Sequence, residues 1–302
     1  MSKLVLIDSM AILYRAYHAL PPLTTRAGEP IGAIYGLTSM LLRIIQDLKP
    51  THIAFCFDEE APTFRKKEFK EYQSQRAPTP DELSGQFKKA RDFAKAAMIP
   101  SYSVPGYEAD DVIGTISEAA SKEKFDEIVI VTGDRDILQL VDDSKNIKLY
   151  MPIKGLSNAK LFSAKETIER MGIPPKLIPD FKGLVGDPSD NYKGVTGVGP
   201  KTAVDLLGKF GDFGGIYKSL DKVPEKTKEK LVKDRKSAEI SFKLARIVKD
   251  VPVKYDFDAM KGWKIDSDRL LALFEEYGFR TLTKRVKEVG KQIISENQGS
   301  LF

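Results

Sequence analysis

The chain has 302 residues, of which 42% are hydrophobic and 30% charged, and this length allows two domains with a sizeable core. No uncharged apolar run approaches the ~20 residues that cross a bilayer, and the single cysteine excludes an internal disulfide framework and a cysteine-rich metal site. We therefore expect a cytoplasmic globular protein without a membrane partner, and its net charge of +5 permits a nucleic-acid partner without requiring one.

Three short apolar runs, at residues 4–7, 53–57 and 128–131, have the length and β-branching of buried strands. Between the first two, apolar residues spaced by three and four predict a helix over residues 34–48. A second helix is predicted over residues 109–120. Strands that alternate with helices indicate an α/β fold with a parallel sheet.

Beyond residue 172 the strand signals fade and the sequence becomes helical, with glycine-rich turns. We therefore predict a first domain at residues 1–172, a mostly helical subdomain at 173–290, and a flexible tail at 291–302. Basic residues are concentrated between Arg65 and Lys95.

Each predicted strand runs into an aspartate, namely Asp8, Asp58 and Asp134, and Asp136 follows closely. Since the carboxyl ends of parallel strands share one edge of the sheet, these side chains should converge in one crevice. Any one of them alone is better interpreted as a turn or capping residue. Together they would repel one another unless cations neutralised them.

Two further acidic groups can join this crevice. Glu108, Asp110 and Asp111 open the second predicted helix, and Asp187 and Asp190 lie in a loop. Hard oxygen ligands without cysteine favour Mg²⁺ or Mn²⁺. A pair of such ions ~4 Å apart is the arrangement that hydrolyses phosphodiesters.

A glycine-rich stretch at residues 194–203 leads into an apolar helix. Glycines let backbone amides approach a phosphate, and the amino end of the new helix faces it, so the stretch is typical of a helix-hairpin-helix that binds DNA backbone. A plain glycine-rich connector remains the alternative. The candidate phosphate contacts are Lys193, Gly194, Gly197, Gly199, Lys201 and Thr202.

Several motifs, in order, resemble the 5′ nucleases of the flap endonuclease family, which include the 5′ to 3′ exonuclease domain of bacterial DNA polymerase I. The resemblance runs from Lys3 to about Val289. The matching motifs are LID at 6–8, YRAYH at 14–18, TFR at 63–65, GYEADD at 106–111, TGDRD at 132–136 and GDPSDN at 186–191, followed by the hairpin.

The resemblance implies a PIN-like nuclease core, a helical arch at about 64–95 over the active site, and a helix-three-turn-helix element that grips duplex DNA. It implies that Arg65 and Arg76 steer the scissile phosphate, that Tyr72 lies in the arch, and that carbonyls of the hairpin hold a K⁺ ion. The acids that match its ligands for two divalent ions are Asp8, Asp58, Glu108, Asp110, Asp111, Asp134, Asp136, Asp187 and Asp190.

One departure concerns the arch, where relatives read Tyr-Lys-x-x-Arg and this chain has Gln73. Lys70, or Lys66 with Lys67, could supply the missing charge. A separate group, Tyr14, Arg15 and Tyr35, lies near the end of the first strand or on the helix after it, and we expect contact with a frayed 5′ nucleotide.

The leading interpretation is a monomeric, structure-specific 5′ nuclease that removes flaps and 5′ ends at nicks during Okazaki fragment maturation and repair. A catalytically weak DNA-junction-binding module is the alternative, supported by Gln73 alone. An unrelated phosphohydrolase of small molecules would have no use for the hairpin. A piece of a longer polymerase also remains open, since relatives continue into polymerase domains.

The last five residues resemble the pentapeptide by which bacterial replication proteins dock onto the sliding clamp. Gln298, Leu301 and Phe302 fit that pattern, whereas Gly299 departs from it. A Leu-Phe pair at the end of a polar tail offers an apolar anchor to a partner. The sliding clamp is therefore a second candidate partner beside DNA.

Overall fold

A computed structural model of the chain describes residues 1–123, 125–154 and 158–299. The strands of its central sheet are β1 (Lys3–Asp8), β2 (His52–Cys56), β3 (Ser101–Tyr102), β4 (Glu127–Val131), β5 (Ile147–Lys154) and β6 (Asn158–Phe162). Their order across the sheet is β3-β2-β1-β4-β5-β6, and all neighbours are parallel except the pair of β5 with β6. The prediction of an α/β fold with a parallel sheet is confirmed.

The described helices alternate with the strands in the first half of the chain and then follow one another. They are α1 (Ser9–Ala19), α2 (Gly32–Leu48), α3 (Phe64–Glu68), α4 (Asp81–Ala96), α5 (Ala109–Ala120), α6 (Ala164–Met171), α7 (Ile178–Val185), α8 (Pro200–Phe210), α9 (Phe213–Lys218), α10 (Glu225–Lys233), α11 (Arg235–Ala245), α12 (Asp268–Tyr277) and α13 (Arg280–Gly299). Within the described ranges, no helix is both long enough and apolar enough to cross a membrane.

Helices cover both faces of the sheet, which explains why its central strands are apolar throughout. On β1, Val5 and Ile7 pack with α1, α2 and α4, whereas Leu4 and Leu6 pack on the opposite face with α5. The parallel register pairs Asp8 with Cys56 of β2. The carboxyl ends of β1, β2 and β4 therefore lie side by side.

The helical part does not form one unit to residue 290. Helices α7 to α11 join the core on the α5 face of the sheet, but α12 and α13 return to the α2 and α4 face. Phe274 and Val286 are buried there. This differs from the predicted helical subdomain, because α12 packs against α4 and α13 packs against α2.

The carboxyl end of the described chain is helical where a flexible tail is predicted. Helix α13 continues to Gly299, through residues 291–298 that contain neither glycine nor proline and include several good helix formers. Gln298 lies in its last turn. Leu301 and Phe302, the proposed clamp anchor, lie outside the described residues.

Candidate active site

A cavity of about 640 Å³ opens at the carboxyl edge of the sheet. One side is formed by residues that follow β1, β2 and β4, and the opposite side by residues 64–79, which we call the arch segment. The predicted acids that line it are Asp8, Asp58, Glu108, Asp110, Asp134, Asp136 and Asp190. The structure thus brings these seven carboxylates into one place.

Asp8 ends β1 and caps α1, since its Oδ1 accepts the Ala11 N–H at 3.0 Å and its Oδ2 accepts the Thr132 hydroxyl at 2.6 Å. Burial, and then the neighbouring carboxylate of Asp58, raise the pKa of Asp8 to about 7. Asp58 accepts the Ala109 N–H at 2.8 Å, and burial raises its pKa as well. Two buried carboxylates at adjacent strand ends therefore resist ionisation together.

Helix α5 brings two more carboxylates to the cavity at its first turn. Burial raises the pKa of Glu108 to about 7, although Arg65 opposes this effect. Burial, and then Asp134, raise the pKa of Asp110 well above its ordinary value. Such a cluster binds a cation readily, because a cation relieves the repulsion that keeps the acids protonated.

Arg65 and Asp111 form an ion pair with each other. The five N–H donors of Arg65 reach Asp111 (two bonds, 2.7 and 2.8 Å), Glu108 (3.0 Å) and the carbonyls of Leu244 and Arg246 (both 2.8 Å). Arg65 is 2% exposed and Asp111 is 0% exposed. Arg65 lines the cavity with its donors engaged in these bonds, and the roles of Arg65 at the phosphate and of Asp111 at a metal stay predictions.

A second group of acids lies beside the first. Carboxylate oxygens of Asp136, Asp187 and Asp190 all lie within 4.8 Å of one another, and we call these residues the acidic triad. Lys182 of α7 forms ion pairs with both Asp136 and Asp187. Burial raises the pKa of Asp136 to about 6 in spite of Lys182, whereas Lys182 overcomes the effect of burial and lowers the pKa of Asp187.

Lys182 was missed by the sequence reasoning. Its one signal is that it is the only basic residue of the largely apolar α7, which also contains Asp180, and that it lies four residues before the glycine that precedes Asp187. A charged residue in such a stretch is buried only when it has a partner.

The arch segment supplies the cationic and aromatic side of the cavity. Arg76 donates to Asp190 at 2.5 Å and remains half exposed, so it can also reach a ligand. The Tyr72 hydroxyl lies 3.2 Å from Glu108 and 3.4 Å from Asp190, and it can donate to either carboxylate. Gln73 lines the cavity, and its N–H donates to the Asp190 carbonyl at 2.9 Å.

Two arch predictions need correction. Lys66 lines the cavity, whereas Lys70 is exposed and does not, since α3 ends at Glu68 and the chain turns before Lys70. The predicted arch also included α4, but α4 packs against α2 and α12 through Leu83, Ala90 and Phe93. Among the described residues, the predicted arch contributes to the lining of the cavity only through the arch segment.

The three residues predicted to contact a 5′ nucleotide are separated. Tyr14 lines the cavity and its hydroxyl hydrogen-bonds to Thr79. Arg15 is half-buried, near Gly133, where an added Cβ would lie 3.8 Å from its Nη1. Tyr35 is not among the residues that line the cavity, and its ring packs edge-on against Phe279 at 5.2 Å between centroids, so its contact with a 5′ nucleotide stays a prediction.

The glycine hairpin connects α7 to α8. Gly197, with a φ of 76°, makes a turn that few other residues adopt, and its carbonyl accepts a hydrogen bond from Lys230 Nζ at 3.0 Å. Lys193, Gly199 and Lys201 are exposed, and Thr202 is half-buried at the start of α8. These residues can meet a ligand.

Gly194 is different, because it is buried against α7. A Cβ at this position would lie 2.3 Å from the Leu184 carbonyl oxygen and 2.4 Å from the Gly186 nitrogen. The position requires a residue without a side chain, because two backbone segments pack closely there. Gly194 also lines a pocket at the hairpin, and its contact with DNA stays a prediction.

The donor set of the cavity suits hard divalent cations. Its acidic lining offers carboxylate oxygens, and no histidine or cysteine lines it among the described residues. Carboxylates also outnumber the cations hydrogen-bonded to them, Arg65, Arg76 and Lys182. Oxygen ligands with excess negative charge are what Mg²⁺ and Mn²⁺ select.

Comparison with known proteins gives relatives for nearly the whole chain. DNA polymerase I of Bacillus caldotenax is 41% identical over 286 residues, covering 94% of this chain and 32% of that protein. DNA polymerase I of Bacillus subtilis is 38% identical over 287 residues, covering 95% of this chain and 32% of that protein. The chain spans about a third of the length of these relatives.

Solved structures share the fold. The flap endonuclease of bacteriophage T5, in a complex with DNA and metal ions, aligns with a TM-score of 0.65 and 18% identity over 96% of this chain and 98% of that one. The catalytic core of Rad2 in complex with DNA substrate aligns with a TM-score of 0.60 and 17% identity over 97% of this chain and 92% of that one.

Family models divide the chain at the point where the sheet domain gives way to helices. The N-terminal resolvase-like domain of 5′-3′ exonucleases matches residues 3–172, and their C-terminal SAM fold matches residues 173–268. The chain therefore belongs to the 5′-3′ exonuclease family.

Proposed function

We propose that this 5′ nuclease is structure-specific and cleaves DNA at 5′ flaps, nicks and 5′ ends, in Okazaki fragment maturation and repair, with two Mg²⁺ or Mn²⁺ ions. The observation that carries the proposal is the cavity in which carboxylates from the ends of β1, β2 and β4 face Arg76 of the arch segment. A cytoplasmic location follows from the chromosomal substrate.

Two sets of acids are the candidate ligands. Asp8, Asp58, Glu108, Asp110 and Asp134 would hold one ion, and the acidic triad would hold the other. When bound, such ions activate water and stabilise the leaving oxygen of a phosphodiester. Asp111 is left out, because Arg65 and two backbone N–H groups, of Glu108 and Val248, donate to its oxygens.

The chain's own groups would position the DNA. Arg76, half exposed beside Asp190, is placed to exchange that carboxylate for the scissile phosphate, since guanidinium binds both. The Tyr72 hydroxyl between Glu108 and Asp190 would fix the two carboxylates relative to each other. The arch segment covers this side of the cavity and so would limit the width of strand that enters.

The hairpin would bind the duplex away from the cleaved bond. Exposed Gly197 and Gly199 allow close approach of the backbone, and Lys201 adds positive charge at the amino end of α8. The resemblance also implies a K⁺ ion at the carbonyls of the hairpin. This ion would lie near the Lys230 ammonium, which already donates to the Gly197 carbonyl. The T5 and Rad2 structures with DNA support DNA as the partner.

The test is cleavage of a 5′-labelled flap substrate with Mg²⁺, Mn²⁺ or EDTA, with the products sized. We expect short 5′ products only with divalent ions. Asp8→Asn and Asp134→Asn should abolish cleavage and leave DNA binding, which depends on basic residues and the hairpin. Binding without cleavage by the unaltered chain would favour the junction-binding alternative, and cleavage in EDTA would exclude the ion-dependent mechanism.

Clamp docking is a separate part of the proposal. Deleting residues 298–302 should remove binding to the sliding clamp and stimulation by it, while cleavage without the clamp is retained. Equal capture of the intact and shortened chains by a clamp from the same source would exclude this docking.

Sedimentation of the chain alone tests whether it is a monomer.

A further inference from the structure

Tyr192 places a buried hydroxyl with no hydrogen-bond partner beside the acidic triad. The residue is 3% exposed, and its hydroxyl oxygen has no partner among the residues that the structure describes. A buried hydroxyl left in this state costs about 1–3 kcal/mol. Such a group calls for an explanation, and a partner gained in another state of the protein is the one that we test.

Backbone pairing orients Tyr192 toward the triad. Its N–H donates to the Asp187 carbonyl at 3.1 Å, and the Asp187 N–H donates to the Tyr192 carbonyl at 2.9 Å, in an isolated antiparallel bridge. Directly paired residues of such a bridge project their side chains on the same side. The phenol of Tyr192 and the carboxylate of Asp187 therefore share one face.

Packing restricts the ring. Tyr192 stacks on Tyr72 with an interplanar angle of 15° and 6.4 Å between ring centroids, and both belong to one buried cluster with Leu244 and Ala245. A tyrosine hydroxyl, with an ordinary pKa of about 10, keeps its hydrogen at neutral pH, so it acts as a neutral donor or acceptor.

We propose that Tyr192 is a positioning residue for the acidic triad, and that its hydroxyl donates a hydrogen bond to the carboxylates when they hold a divalent ion. Lys182 directs the oxygens of Asp136 and Asp187 toward α7, and a divalent ion shared with Asp190 would reorient them. Outer groups of this kind tune metal affinity by about 10- to 100-fold. The inference rests on the proposed function, because it requires the triad to bind an ion.

The experiment compares Tyr192→Phe with the intact chain in two ways. The first is a Mn²⁺ titration in which the electron paramagnetic resonance signal measures free Mn²⁺. The second is a thermal melt in Mn²⁺ or in EDTA. The acidic triad should be the weaker of the two Mn²⁺ sites, because Lys182 and Arg76 already pair with its carboxylates, and Tyr192→Phe should weaken it about 10-fold further. In EDTA its melting temperature should equal or exceed that of the intact chain, because the variant loses only an unpartnered hydroxyl. A merely structural tyrosine would instead lower the melting temperature equally in both conditions.

Two further variants separate the possible failures. Tyr217→Phe, which removes a hydroxyl bonded to the Leu231 carbonyl within the helical part, should leave Mn²⁺ affinity unchanged. Asp187→Asn should abolish the weaker site. If Asp187→Asn does so while Tyr192→Phe binds Mn²⁺ like the intact chain, the role of Tyr192 is overturned and the ion site stands. If Asp187→Asn changes nothing, the triad binds no ion and both proposals are overturned.

Discussion

Arg65 holds Asp111 in a buried bidentate ion pair, with Nη1 and Nη2 at 2.7 and 2.8 Å from the two carboxylate oxygens. The pair joins the arch segment to α5 beneath the cavity. Arg65→Ala would leave Asp111 buried without its partner, so we expect a loss of about 3–5 kcal/mol in the free energy of unfolding. Urea denaturation followed by circular dichroism measures it.

The matched control for this variant is Arg43→Ala, which removes a largely exposed pair with Asp47. That change should cost far less stability than Arg65→Ala, because an ion pair of a solvent-exposed arginine contributes little. A stable Arg65→Ala protein that cleaves DNA slowly would instead give Arg65 a direct role at the phosphate.

Replacement of Arg76 should affect the cleavage rate rather than stability, in contrast to replacement of Arg65. Its side chain is 53% exposed, so Arg76→Ala should change stability little, but it removes a charge from the cavity and should slow single-turnover cleavage ~10²-fold or more. Rapid-quench measurements at saturating enzyme test this. A normal rate would show that the phosphate is held by another group.

Gln73 lines the same cavity, at the position where the family resemblance leads us to expect a lysine. Gln73→Lys should raise the single-turnover rate if a missing charge limits stabilisation of the transition state. Gln73 has a left-handed backbone, with φ 54°, and lysine has no more steric conflict there than glutamine, so folding should be unaffected. An unchanged rate would indicate that Lys66, which also lines the cavity, already supplies the charge.

The parallel register explains which parts of the site could be predicted from the sequence. Asp8, Asp58 and Asp134 follow strands whose carboxyl ends must share an edge, so their convergence needed only the order of elements. Arg65 could not be placed in this way, because two of its acceptors, the carbonyls of Leu244 and Arg246, lie 179 and 181 residues later in the chain.

The same limit applies to the groups that the sequence reasoning missed. The roles of Lys182 and Tyr192 depend on α7 and the loop after it lying beside Asp136. This is a tertiary contact, and no local sequence pattern predicts it. The return of α12 and α13 to the sheet is likewise decided by matching of apolar faces. Periodicity predicts that such faces exist but not where they pack.

Stability without divalent ions should fall as pH rises from about 5 to 7. The pKa values of Asp8 and Glu108 are raised in the folded state to about 7 from ordinary values of 3.8 and 4.5. Below those ordinary values both states are protonated and the full stability is present. As pH rises toward 7 the unfolded chain ionises first and is favoured.

Urea denaturation in EDTA across this range tests the effect, and Mg²⁺ should restore part of the stability at pH 8, because ions bind the ionised carboxylates of the folded state. Stability that rises through this window in EDTA would contradict the assignment of protonated acids at the strand ends.

Lys182 lies between Asp136 and Asp187 and is 12% exposed at its side chain. Lys182→Gln leaves two buried carboxylates without their cation, so we expect a loss of about 3 kcal/mol or more in the free energy of unfolding at pH 8 in EDTA. The loss should be smaller at pH 5, because the two acids can then take up protons, and smaller in Mn²⁺, because the ion replaces the missing charge. Lys176→Gln, at an exposed position before α7, is the control and should change stability by less than about 0.5 kcal/mol. An equal loss for Lys182→Gln under all three conditions would mean that the lysine stabilises α7 by packing alone and does not neutralise the acidic triad.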